Sequence, residues 1–184
     1  GGAAPTVYAV LARHQRCEEW GQRDLLQLLQ EWAIRFSVEF ELDIPELALR
    51  VDVLTRSCLG HFRPGHNGFG LRGEIALNTM YLRQLSLWEI LGVLLHEMIH
   101  AWQFVHGTPS DGNHHNAEYR RKAAAFGLNI GRRGVTGFHA ASRFRDLLRR
   151  FGIEMPDGDI PPRERRVKGN SKMKKWACGC PVSV

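Results

Sequence analysis

The residues best suited to chemistry in this chain are His96-Glu97-Met98-Ile99-His100, two histidines four positions apart with a carboxylate beside the first. On a helix that spacing stacks both imidazoles on one face, about one turn apart, so that both can reach a single Zn²⁺ ion. Glu97 then sits beside the metal rather than on it, where it can take a proton from a water held at the site. Two histidines and a glutamate among such apolar neighbours would be costly to bury without a partner.

The flanking residues supply the helix this chemistry needs. Ser86-Leu87-Trp88-Glu89 reads as a capping box, with Ser86 as the cap and Glu89 reaching back to it. Leu87, Ile90, Leu91, Leu94, Leu95 and Met98 continue an apolar face at helical spacing, and Gly107 followed by Pro109 is a stop signal. A third ligand must come from His106, His114 or His115. On a helix running to Gly107, His106 lies about 9 Å beyond His100 and is rotated about 240° from it, out of reach of the same metal. His114 and His115 follow a Gly- and Pro-containing loop and open a second helical stretch, with Asn113 as its cap, Tyr119, Ala123 and Phe126 as its apolar face and Gly127 as its end. A helix folded back across the first could bring either imidazole to the metal. A position near a helix N-terminus also favours the neutral, ligating form of histidine.

His96-Glu97-Met98-Ile99-His100-Ala101-Trp102, followed by His115-Asn116-Ala117-Glu118-Tyr119, resembles the SprT-like metalloprotease family, which includes Spartan-like proteases of DNA–protein crosslinks. That family shows a third His followed by Gly and, four residues on, an aromatic. His115 with Tyr119 fits this register, whereas His114 would put Glu118 at the aromatic position; Asn116 stands where the Gly is usual. The resemblance therefore implies His115 as the third zinc ligand. It also implies an α+β, zincin-like fold, in which a small antiparallel sheet packs with helices that include the metal helix.

The remaining elements are consistent with such a fold. Leu49, Val51 and Val53 alternate with Arg50 and Asp52, the pattern of a half-buried strand. Cys58 to Phe62 and Arg72 to Leu77 flank a Gly-rich stretch and read as a hairpin with a long connection, on which His61 and His66 stand unassigned. Leu25, Leu28, Leu29, Trp32 and Phe36 make an amphipathic stripe over residues 24–36, and Val7 to Trp20 reads as a separate helix capped by Thr6. Ala140 to Phe151 describes one more helix, whose Arg143, Arg145, Arg149 and Arg150 could form a basic face.

Residues 1–152 thus read as the metalloprotease domain and 153–175 as a basic linker or arm, with three prolines between Met155 and Pro162. Arg165, Arg166, Lys168, Lys172, Lys174 and Lys175 with the adjacent Trp176 suit phosphate contact plus base stacking. Residues 176–184 resemble the start of a zinc ribbon, with Cys178 and Cys180 as half of a four-ligand site. The expectation is a chain cut short inside that ribbon, and Gly1-Gly2-Ala3, without an initial Met, suggests a processed or engineered N-terminus. A hydrophobic content of 43% in 184 residues suffices for one core. The net charge of +6 is compatible with an acidic partner, although much of the excess sits in the tail. Four cysteines, two of them in a metal-like pair, favour a reducing, cytoplasmic setting (nucleoid- or nucleus-associated if the substrates are DNA-linked) over secretion. No stretch has the length of a membrane helix. The function expected is zinc-dependent peptide hydrolysis with Glu97 as general base, on a protein substrate that the resemblance places on DNA, single-stranded or protein-crosslinked. The rival is a non-catalytic nucleic-acid-binding module with a structural zinc.

Overall fold

The computed structural model describes residues 7–65, 73–131 and 134–162. The chain opens with α1 (Val7–Glu39), a single helix where the sequence reads as two. Gly21 is the only weak former near the expected break, and one interior glycine costs about 1 kcal/mol, too little to end a helix. Thr6, the expected cap, lies outside the described residues. Leu29, Trp32 and Phe36 of α1 are buried as their spacing requires, and Phe40 and Leu42 extend the same seam past its end.

Three strands follow: β1 (Ala48–Asp52), β2 (Gly60–Arg63) and β3 (Glu74–Asn78). They form a sheet of order β1-β3-β2, with β3 antiparallel to β2 and parallel to β1. The expected antiparallel sheet is therefore mixed. Alternation identifies a strand but not its partner, and here β3 enters the gap between two strands already joined by residues 53–59. Asn78, fully buried, fastens that connection. Its side-chain amide donates to the carbonyls of Cys58 (2.7 Å) and Thr55 (3.1 Å), and its Oδ1 accepts from Met80 N at the start of α2 (Thr79–Leu82).

The apolar face of this sheet, with Phe62, Ile75 and Leu77 buried, meets α1 and α3 (Leu87–His106). The start of α3 is the one its capping box specifies, with Ser86 N donating to Glu89 Oε2 at 2.8 Å. A loop with one 3-10 turn leads to α4 (Ala117–Phe126). Its cap is Asn116 rather than Asn113: the Asn116 Oδ1 accepts from Tyr119 N, so His114 and His115 precede the helix instead of opening it. A hairpin of β4 (Leu128–Ile130) and β5 (Thr136–Phe138) then leads to α5 (Arg143–Arg150).

The arginines of α5 do not make one basic face. Arg145 is buried, donating to the carbonyls of Pro156 (2.6 Å) and Gly158 (2.9 Å), while Arg150 pairs with Glu39 and Arg149 with Asp146. The carbonyls that hold Arg145 belong to residues 153–162, where the sequence reads as the start of a linker. This segment lies against the domain: Ile153, Met155 and Ile160 pack on the core, and Ile160 exchanges two backbone hydrogen bonds with Phe138 of β5. Among the described residues no helix is long and apolar enough to cross a membrane.

Candidate metal centre

The middle of α3 is buried on nearly every side, so His96, Glu97 and His100 sit at the core rather than on a solvated face. α4 crosses α3 and, through the loop before it, brings His115 over the two helical histidines. The His115 Nε2 lies 2.9 Å from Nε2 of His96 and 3.1 Å from Nε2 of His100. Three nitrogens at Zn–N distances of about 2.1 Å in a tetrahedron would be about 3.4 Å apart, so these three atoms fit one small cation after slight expansion. Among the described residues they are the group whose donor atoms converge in this way.

The protonation states suit metal binding. Burial is the main cause for all three imidazoles, and each also feels neighbouring positive charge. His100 is brought down to about 3, with His115 as its second cause, and His115 to about 4, aided by Arg120 and His114. His96 lies well below the usual histidine range through burial, then through His100 and His115. All three are neutral at pH 7, each with a lone pair to offer. Burial pushes the Glu97 carboxyl up to about 8, against a smaller opposing pull from the backbone N–H of Phe62. A divalent charge close by would favour its ionised form instead.

That Phe62 contact ties Glu97 to the sheet. Leu59 O accepts from Asn78 N, and the register pairs His61 with Ala76 and Arg63 with Glu74. Alternation then turns the backbone groups of Gly60 and Phe62 away from β3, along the outer edge of β2. The Glu97 carboxyl accepts from Phe62 N–H there, and the Cys58 thiol donates to the Gly60 carbonyl at 2.7 Å. The Cys58 thiol is raised by burial and by Glu97, which places it near that carboxyl.

The surroundings contain groups to which the sequence assigned no role at the site. Tyr119, fully buried, donates its hydroxyl to the His96 carbonyl (2.8 Å), and its ring lies 4.3 Å from that of His100. Only its place four residues after His115 hinted at this. Thr136 Oγ1 lies 2.9 Å from His96 Nδ1, and nothing in the sequence signalled it. Gln103 donates to Asn116 Oδ1 and Glu118 Oε2, both at 2.7 Å. It thereby draws the loop before α4 onto α3. Gly107 leaves room for the Glu118 carboxylate at the start of that loop, since a Cβ there would stand 2.4 Å from it and displace it from its place beside Gln103.

The other candidates separate cleanly. His114 is exposed, and His106 at the end of α3 reaches the Asp43 carbonyl. His61 lies on the polar face of the sheet among Arg50, Asp52, Arg63 and Glu74. His66, Arg165, Arg166, Lys168, Lys172, Lys174, Lys175, Trp176, Cys178 and Cys180 lie outside the described residues. A model of the SprT-like family matches residues 25–139, more than half of the chain and the whole of the cluster described above. No curated protein matches the chain.

Proposed function

This chain belongs to the SprT-like family, and from that premise we propose that it is a zinc-dependent, zincin-like endopeptidase acting on proteins bound or crosslinked to DNA. The observation that carries the reading is the convergence of three neutral Nε2 atoms beside a buried carboxyl that also touches a sheet edge. His96, His100 and His115 would hold the zinc, a three-ligand set of the kind hydrolytic sites use. A zinc ion so held supplies an acidified water and a Lewis acid for the scissile carbonyl.

The chain's own groups do the rest. Glu97 receives the proton of the attacking water and delivers it to the leaving amine, with Phe62 N–H holding the carboxylate in place. An extended substrate would lie along the outer edge of β2, beside the Glu97 carboxylate that Phe62 N–H holds. Burial around α3 keeps bulk water from the reacting groups, which strengthens each electrostatic interaction there. Arg165, Arg166, Lys168, Lys172, Lys174, Lys175 and Trp176 supply the contact to single-stranded DNA, and Cys178 with Cys180 half of a second zinc site.

The test is cleavage of a DNA-binding protein by the zinc-loaded chain, with and without single-stranded DNA, beside Glu97→Gln. Cleavage that requires both Glu97 and DNA is the expected result. Cleavage indifferent to DNA would remove the DNA-linked substrate class from the proposal. No cleavage by a zinc-replete, folded sample would overturn the protease reading in favour of a nucleic-acid-binding module.

A further inference from the structure

A neutral imidazole carries one N–H and one lone pair, and the two nitrogens exchange these roles freely unless a neighbour decides between them. For His96 the choice matters, because its Nε2 is the atom that meets Nε2 of His115. If Nε2 is to offer a lone pair, Nδ1 must carry the hydrogen and needs an acceptor. His96 is 8% exposed, so water is a poor candidate for that acceptor. The Thr136 hydroxyl oxygen lies 2.9 Å from Nδ1.

Thr136 reaches this spot from β5, forty residues away in sequence and in a different sheet from β1–β3. The strand is held from both sides. Ile130 of β4 is the register partner of Thr136, and Ile160 bonds to Phe138 on the other edge. Gly137 and Gly131 allow that closeness. A Cβ on Gly137 would stand 2.5 Å from the Ile160 carbonyl, and one on Gly131 3.1 Å from Pro162. The same hairpin reaches the third histidine. Gly134, at φ +75°, lies so close that a Cβ would fall 2.4 Å from Cε1 of His115. The β4–β5 hairpin therefore touches two of the three converging imidazoles.

We propose that Thr136 is a positioning residue of the metal centre: its hydroxyl accepts from Nδ1–H of His96 and so fixes the ring in the tautomer and orientation that present Nε2 to zinc. The inference rests on the reading of the three histidines as zinc ligands and adds a residue that the ligand motif does not contain. Hydrogen-bond partners of ligating histidines are worth about 10- to 100-fold in metal affinity.

The experiment compares wild type, Thr136→Val and Thr136→Ser in the full chain. Valine keeps the branched shape and removes the hydroxyl, and serine restores it. Zinc dissociation constants are measured by competition with a chromophoric chelator, and thermal unfolding of the metal-free proteins checks the fold. Histidine ¹⁵N shifts of the metal-free proteins report the His96 tautomer. The expected result is that Thr136→Val binds zinc about 10- to 100-fold more weakly, with a mixed His96 tautomer and near-normal unfolding, while Thr136→Ser stays close to wild type. Wild-type affinity in a folded Thr136→Val protein would overturn the proposal. Equal loss in both variants with an unchanged tautomer would do the same, because β5 would then act only as scaffold. None of these readouts uses a substrate, so a wild type that binds zinc but cleaves nothing defeats the protease reading alone. A folded wild type that binds no zinc defeats both.

Discussion

Truncating Gln103 to alanine should loosen the loop that carries His115. Gln103 is 1% exposed, and its Nε2 hydrogens go to Asn116 Oδ1 and Glu118 Oε2, each at 2.7 Å. Asn116 also donates to the Thr108 carbonyl at 2.9 Å, and Thr108 N donates to Glu118 at 2.8 Å, so the amide closes a ring of contacts around the loop. Losing the bond to Asn116 costs about 1 kcal/mol. The buried methylene and the void it leaves cost about 1 kcal/mol more. The sum, about 2 kcal/mol before any loss at Glu118, is a sizeable part of a domain's typical 5–15 kcal/mol. Urea unfolding of the metal-free chain should show that loss. If all of it is felt at His115, zinc affinity falls about 30-fold, since 1.4 kcal/mol corresponds to tenfold. A variant within about 0.5 kcal/mol of wild type in stability and threefold in zinc affinity would refute the idea that this network places the third histidine, because an intact polar ring should cost more than that to open.

Glu97→Gln should retain zinc and lose about 10²- to 10⁴-fold in cleavage rate, the range for removing a general base; unchanged turnover would end that assignment. His115→Ala should lose zinc while His114→Ala keeps it, which metal analysis after dialysis can read directly. The metal-free protein should have a stability maximum at about pH 7, where the opposing shifts balance. His100 and His115 titrate near 3 and 4 in the fold against 6.5 unfolded, and His96 is lowered too, so the unfolded chain binds more protons as pH falls below 6.5 and stability drops. Glu97 has the opposite sign: its value of about 8 exceeds the ordinary 4.5, so its contribution is full below 4.5 and declines as pH rises through 8. Between 4.5 and 6.5 three histidines oppose one glutamate and the histidines prevail; by about pH 7 the unfolded histidines have lost most of their protons and the glutamate prevails. Urea midpoints from pH 5 to 8.5 would test this, and a flat profile would contradict the burial of these groups.

The local code of the sequence settled the metal helix. Ser86 and Glu89 set its start, the spacing from Leu87 to Met98 set its buried face, and four-residue spacing put His96 and His100 together. The β2–β3 hairpin and the buried stripe of α1 were legible for the same reason, since period and turn chemistry act over a few residues. Proximity across long separations is not encoded by any period. Whether β1 pairs beside β2 or beside β3 depends on which strand fills the gap, and packing placed β3 there. Asn116 captures the start of α4, so that His115 turns to α3 while His114 stays exposed; a resemblance pointed to His115, but no spacing within the chain did. Thr136, the Gln103 amide and the Phe62 N–H reach the site only because a hairpin, a loop and a sheet edge close on one helix. Short-range periodicity thus chose the residues that could do chemistry. The burial of a shared core, which acts between surfaces and not between neighbours in sequence, chose the partners that hold them.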